Sequence, residues 1–112
     1  MGATLSTHVL DTARGVPAAG IGVTLFALLG DARAPIARLV TGSDGRTARP
    51  FEGPLEPGLY ELVFEAGAYF AALGTGSFYD LIAVRFRIDT GETHYHVPLL
   101  LAPGGYTTYR GS

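Results

Sequence analysis

Apolar and polar residues alternate with a period of two along much of the chain. Residues 60–65 read Tyr-Glu-Leu-Val-Phe-Glu, and residues 84–89 read Val-Arg-Phe-Arg-Ile-Asp. This period is typical of strands with one buried face, and the chain as a whole is predicted to hold about eight of them. The other six are predicted at residues 4–10, 21–29, 35–41, 49–53, 92–101 and 105–110.

Glycine and proline mark the predicted turns between these strands. Residues 43–45 and 57–58 have the sequences of tight turns, and Thr-Gly at 90–91 is predicted to close a hairpin between its neighbouring strands. One helix is predicted at residues 66–73, ended by Gly74. Short strands separated by turns predict an all-β sandwich, formed as a single domain over residues 1–112.

Composition removes several kinds of chemistry. The chain has no Cys and no Lys, which excludes thiolate nucleophiles, disulfides, cysteine metal sites and Schiff bases. A net charge of −2 argues against a nucleic-acid partner, and the apolar run at residues 21–29 is too short to span a membrane. The first ten residues lack the features of a signal peptide. We therefore expect a cytoplasmic protein that binds neither nucleic acid nor membrane.

Three histidines are the only side chains that titrate near neutral pH. In the strand predicted at 92–101, the odd positions are the apolar set, so His94 and His96 share the opposite face. The same alternation turns His8 outward in the first strand, on the face of Ser6. Outward faces usually carry charges, whereas His8 and His96 lie next to Ser, Thr, Leu and Pro, which predicts a groove or an interface.

The residues alone leave three interpretations of these histidines open. Two imidazoles about 7 Å apart on one strand face, with His8 as a third ligand, would bind zinc. Alternatively, the rings line a sheet or an interface and do no chemistry. In the third interpretation, one histidine is the general base for water, and an Arg binds a carbonyl-rich substrate and stabilises its developing charge without a metal.

Several segments carry a resemblance that discriminates among these interpretations. They are Leu-Ser-Thr-His-Val-Leu-Asp at 5–11, Gly-Val-Pro-Ala at 15–18, Asp-Gly-Arg at 44–46, His-Tyr-His-Val-Pro-Leu-Leu-Leu at 94–101 and Tyr-Arg-Gly-Ser at 109–112. With this spacing the chain resembles the 5-hydroxyisourate hydrolase family, also called transthyretin-like proteins, over nearly its whole length. The C-terminal tetrapeptide is the most specific element, because it separates the hydrolases from transthyretin, the hormone carrier of the same fold.

The resemblance implies a prealbumin-type sandwich of two four-stranded antiparallel sheets with one short helix. It also implies a homotetramer, a dimer of dimers, with active sites at the subunit interface. The implied substrate is 5-hydroxyisourate, which is hydrolysed to 2-oxo-4-hydroxy-4-carboxy-5-ureidoimidazoline in urate degradation. Neither a metal nor an organic cofactor is implied.

The resemblance further assigns roles to individual residues. The family's catalytic positions fall on His8, Arg46, His96 and Ser112. Substrate binding is assigned to His8, Arg46 and Tyr109, and Arg110 is expected either to bind substrate or to pair with a carboxylate. His94 is expected to be structural or to support the other groups. The alternative function is a non-catalytic carrier of a small aromatic ligand in a central channel of the same tetramer.

Overall fold

The computed structural model describes residues 3–112, without the side chains of residues 52–54. Residues 1 and 2 of the predicted domain therefore lie outside the described residues. Within the described part, the chain forms eleven strands and one helix. In chain order these are β1 Ala3–Ser6, β2 Val9–Asp11, β3 Val16–Pro17, β4 Gly22–Leu29, β5 Ala32–Val40, β6 Phe51–Leu55, β7 Gly58–Glu65, α1 Ala66–Ala72, β8 Leu81–Ile88, β9 His94–His96, β10 Leu99–Ala102 and β11 Gly105–Thr108.

One layer of the molecule is an antiparallel sheet of four strands in the order β5-β4-β7-β8. Its register opposes Tyr60 to Phe86 and Phe64 to Ile82, so the apolar positions of β7 and β8 lie on the same face. That face packs into the core, as the period of two predicts. Glu61 on β7 forms ion pairs with two arginines: its Oε1 lies 3.1 Å from Arg33 Nη1, and its Oε2 lies 3.3 Å from Arg85 Nη2.

The second layer is built from two short sheets, β6-β1-β9 and β11-β10-β2-β3. The predicted strands at 4–10 and 92–101 pass through both, because each is interrupted once, at Thr7–His8 and at Val97–Pro98. Pro98 has no N–H to donate, which accounts for one interruption. Backbone hydrogen bonds from Val97 N to Ser6 O (3.0 Å) and from Leu99 N to His8 O (2.9 Å) continue the pairing across it.

The predicted sandwich of β-sheets with one short helix is confirmed. The expected sheets were all antiparallel. In the structure, β1 pairs with β9 and β2 pairs with β10 in parallel. The helix at Ala66–Ala72 agrees with the predicted one. Gly74 follows it with φ +71°, and its N–H donates to Ala71 O at 3.0 Å, as expected of a helix end.

The predicted hairpin at residues 90–91 is wrong. The strand before it, β8, pairs with β7, and the strand after it, β9, pairs with β1 in the other layer. The segment therefore carries the chain from one layer to the other. Both flanking runs alternate as half-buried strands do, but alternation identifies a strand's buried face and not its partner.

The core lies between the two layers. The predicted strands at 4–10 and 92–101 turn the predicted side chains toward it. Leu5, Val9, Leu99 and Leu101 are fully buried, whereas Ser6, His8 and His96 are only half-buried and His94 is exposed. The polar residues on this outer face therefore lie on a rigid, well-packed layer. Within residues 3–112, no helix is long and apolar enough to cross a membrane.

Candidate active site

The break in the second layer brings together segments that are distant in sequence. Parallel pairing opposes Ser6 to His96. At the break, His8 forms an isolated antiparallel bridge with Arg46, and His96 forms one with Gly111. The Gly111 N–H donates to His96 O at 2.8 Å. The predicted residues His8, Arg46 and His96 and the C-terminal segment therefore meet where the two short sheets join.

The turn at residues 43–45 holds His8 and Arg46 beside each other. His8 Nε2 donates to the Asp44 carbonyl at 2.8 Å, and the Arg46 N–H donates to the Asp44 carboxylate at 2.9 Å. Gly45 has φ +80°, and a Cβ there would overlap the Val9 carbonyl and lie 3.2 Å from His8 Cδ2. Glycine is therefore required at this position both by conformation and by the closeness of the first strand.

His96 is oriented from two sides. Its Nδ1 lies 2.7 Å from the Ser6 hydroxyl, and a Cβ on Gly111 would lie only 2.5 Å from its Cδ2. Burial lowers the pKa of His96 below its ordinary value, and the positive charges of Arg46 and His8 lower it further. A neutral imidazole is therefore favoured at this position, beside a guanidinium and a second imidazole.

The other predicted residues are placed differently. Ser112 directly follows Gly111, the residue that forms the bridge with His96. Tyr109 and Arg110 line a separate cavity of about 310 Å³ between β8 and the C-terminal segment. Arg110 donates to Glu92 at 2.8 Å, and its guanidinium lies 4.8 Å from the centre of the Tyr95 ring. This arrangement supports the carboxylate-pairing alternative for Arg110.

The sequence analysis missed three residues that hold the histidines in place. Ser6 contacts both His96 and His94, at 2.7 and 3.1 Å, although the sequence places it only on their outward face. Gly45 and Gly111 are required by close packing against His8 and His96. The signal for Ser6 was its place in the segment 5–11, but its partners depend on the register between two strands about ninety residues apart.

The described residues do not assemble a metal site of the kind that the zinc interpretation requires. Within residues 3–112, no group of three or more His, Asp or Glu side chains is arranged to hold an ion. Instead, the site offers two imidazoles, a guanidinium and hydroxyl groups. Such a set binds carbonyl and anionic groups and moves a proton, which is the requirement for hydrolysis by activated water.

Comparison with known proteins identifies close relatives. The model of the HIUase/Transthyretin family matches residues 5–111. A curated relative from Rhizobium meliloti, 5-hydroxyisourate hydrolase 2, is 52% identical over 96% of this chain and 95% of its own. The structure of Klebsiella pneumoniae 5-hydroxyisourate hydrolase superposes with a TM-score of 0.87 and 46% identity, covering 98% of this chain and 99% of that one.

Two further structures share the fold. Sea bream transthyretin in complex with thyroxine has a TM-score of 0.89 but only 28% identity, over 96% of this chain and 93% of its own. (S)-allantoin synthase has a TM-score of 0.88 and 40% identity over 99% of this chain, which spans 45% of that longer protein. The backbone is therefore equally similar to an enzyme and to a hormone-binding protein, and only the side chains discriminate between them.

Proposed function

This chain belongs to the HIUase/Transthyretin family, and from that membership we propose that it hydrolyses 5-hydroxyisourate in urate degradation. Its relatives named 5-hydroxyisourate hydrolase identify it as a hydrolase. The proposed product is 2-oxo-4-hydroxy-4-carboxy-5-ureidoimidazoline, formed when the six-membered ring opens. A cytoplasmic location stays a prediction of the sequence.

One observation carries the proposal, the convergence of His8, Arg46 and His96 at the break in the second layer. Arg46 and His8 lie near enough to lower the pKa of His96. A neutral imidazole is the form that accepts a proton from water. We therefore assign the general base to His96, a choice between the two histidines that the sequence left open.

The other groups complete the proposed reaction. Arg46 presents a rigid fork of donors to the planar, carbonyl-rich substrate and stabilises the oxyanion as water adds to the ring carbonyl. The carbon–nitrogen bond of the tetrahedral intermediate then breaks, the leaving nitrogen takes the proton that His96 removed from water, and His8 binds that nitrogen. Ser112 lies beside His96 through Gly111 and is assigned a hydrogen bond to the attacking water. No metal or organic cofactor takes part in this scheme.

The test is to generate 5-hydroxyisourate with urate oxidase and to follow its ultraviolet absorbance with and without the protein. We expect micromolar protein to accelerate the decay well beyond the spontaneous rate. The carrier alternative, favoured only by the shared transthyretin fold, predicts binding of an aromatic ligand with an unchanged decay rate. Activity that disappears on chelation would support the zinc interpretation instead.

The pH dependence of hydrolysis follows from His96. Because the base works only when unprotonated, kcat/KM should be full above the pKa of His96 and fall as the pH drops through it. Burial, Arg46 and His8 hold that pKa below 6.5, so the fall should begin only in more acidic solution. Initial rates across the acidic range, corrected for spontaneous decay, measure this. A midpoint above 6.5 would contradict the assignment of the base.

We also propose that the chain forms a homotetramer with the sites at subunit interfaces. Strands β8 and β11 are sheet edges, whose unpaired backbone groups favour pairing with a second copy. The outer face that carries His8 and His96 continues into an open depression of about 680 Å³ without charged side chains. Its lining consists of Thr12, Leu100, Ala102, Gly105, Tyr106 and Thr107.

A second pair of subunits over this face would enclose the histidines and exclude water from the substrate. Light scattering after size-exclusion chromatography should therefore give four times the chain mass of 11.7 kDa. A monomer that is fully active would contradict the placement of the sites between subunits.

A further inference from the structure

A chain of polar contacts runs from the surface to the ring of His96. The Thr4 hydroxyl donates to the Thr93 carbonyl at 3.5 Å and lies 2.7 Å from His94 Nδ1. His94 Nε2 lies 3.1 Å from the Ser6 hydroxyl, which in turn lies 2.7 Å from His96 Nδ1. The parallel register that opposes Thr4 to His94 and Ser6 to His96 produces this alternation of hydroxyls and imidazoles.

The number of hydrogens limits this chain of contacts to two directions. The Thr4 hydroxyl has one hydrogen. When it points to the Thr93 carbonyl, across the long distance of 3.5 Å, His94 Nδ1 supplies the hydrogen between Thr4 and His94. A neutral His94 then has a bare Nε2, which accepts the hydrogen of the Ser6 hydroxyl. The Ser6 oxygen is left to accept from His96 Nδ1. With neutral rings, this direction makes all four contacts hydrogen bonds, whereas the reverse direction keeps the three shorter contacts and places the hydrogen of His96 on Nε2.

We propose that Ser6 and His94 are positioning residues that hold His96 in the tautomer protonated on Nδ1, with Nε2 free to accept a proton. The choice of this direction over the reverse one rests on the proposed function, because a general base needs an unprotonated Nε2. In the opposite tautomer Nε2 would carry a hydrogen, and His96 would donate a hydrogen bond to water without activating it.

A hydrogen bond also determines which ring nitrogen of His8 carries the hydrogen. Its Nε2 faces the Asp44 carbonyl, an acceptor only, so Nε2 carries the hydrogen. The two histidines of the site are therefore held in opposite tautomers by different parts of the fold. His96 has its free nitrogen at Nε2, and His8 has its free nitrogen at Nδ1 when neutral. The structure thus provides a physical basis for a division of labour between them.

The first test measures the tautomer directly. Ring-nitrogen NMR of the ¹⁵N-histidine-labelled protein, at a pH where the rings are neutral, should show His96 protonated on Nδ1. In Ser6→Ala the ring loses its acceptor, and the population should move toward the Nε2-protonated form that free imidazole side chains favour in water. Ser6→Thr keeps a hydroxyl and should retain the original tautomer. Ser77→Ala, on a distant loop, is the matched control and should change nothing.

The second test measures activity. Ser6→Ala should lower kcat/KM about tenfold, mainly through kcat, as expected for a group that orients a reacting imidazole. Ser6→Thr should restore most of it. Should Ser6→Ala fail to fold, His94→Ala takes its place, because it frees the Ser6 hydroxyl to turn its hydrogen toward His96 and should give a mixture of tautomers.

The outcomes separate this proposal from the proposed function. An unchanged His96 tautomer in both Ser6→Ala and His94→Ala would overturn the positioning role, whatever the activity. If the tautomer changes as expected but the wild-type chain does not hydrolyse 5-hydroxyisourate, the proposed function fails and the positioning role stands. If the tautomer changes and kcat/KM does not, the assignment of His96 as the base is overturned.

Discussion

Replacing His96 with alanine is expected to lower kcat/KM for 5-hydroxyisourate by about two to four orders of magnitude, the usual contribution of a general base. The reason is geometric as well as chemical. His96 is the imidazole whose pKa is lowered by burial, by Arg46 and by His8, and Ser6 and Gly111 fix its ring. Without it, Arg46 still binds the substrate, but water adds without a base. Ultraviolet assays of substrate decay measure the loss.

The control for this variant is Thr93→Ala. Thr93 lies one residue before β9, and its side chain is exposed. Its removal should leave kcat/KM within about twofold of the original, since surface substitutions away from a site usually perturb little. The circular dichroism spectrum should stay unchanged in both variants. A His96→Ala enzyme that keeps more than a tenth of its activity would show that another group is the base.

Replacing Asp11 with alanine is expected to cost about 3 kcal/mol of unfolding free energy, because three donors lose their acceptor at once and one of them, the Tyr69 hydroxyl, is buried. The Asp11 carboxylate is fully buried. One of its oxygens accepts from the Ala13 and Arg14 N–H groups at 3.1 Å, and the other accepts from the Tyr69 hydroxyl at 2.8 Å. Asp11 thereby ties the end of β2 to the helix. Equilibrium unfolding in urea measures the change.

Tyr69→Phe provides the matched comparison. It removes one hydrogen bond and leaves the two backbone donors satisfied, so we expect a loss of about 1 kcal/mol. Burial and the bond to Asp11 raise the pKa of the Tyr69 hydroxyl, which therefore stays a donor over the working range. A smaller loss for Asp11→Ala than for Tyr69→Phe would show that the loop rearranges around the missing carboxylate.

The side chains, and not the fold, argue against the alternative function of a non-catalytic carrier. A hormone-binding protein and a hydrolase superpose on this chain equally well. A binding channel for an aromatic ligand has no need of an imidazole with a lowered pKa facing a guanidinium. These features favour catalysis.

Much of the architecture followed from local patterns in the sequence. The period of two placed Val97, Leu99 and Leu101 in the core and His96 on the outer face, and the structure agrees. The reason is that successive side chains of a strand point to opposite sides, whatever the strand pairs with. The helix at 66–72 and the turn at 43–45 were predictable for a different reason, because glycines give each a local sequence signal.

The resemblance to a known family grouped the catalytic residues, which the pattern of a single sequence could not do. It joined His8, Arg46, His96 and Ser112 into one proposed site, although they lie far apart along the chain. The structure brings the first three together and places the C-terminus beside them. It places Tyr109 and Arg110 at a different cavity, between the end of β11 at Thr108 and the residue that bridges His96, Gly111.

Strand partners and register were decided only by the tertiary structure. The parallel pairing of β1 with β9 opposes Ser6 to His96, and the break beyond it lets Arg46 and Gly111 bridge the two histidines. Alternation is the same for any partner, so it predicted a hairpin at residues 90–91 that does not form. Which strand pairs with which depends on packing across the whole core. The sequence alone therefore determined which side chains face outward, and the tertiary structure determined which of them meet.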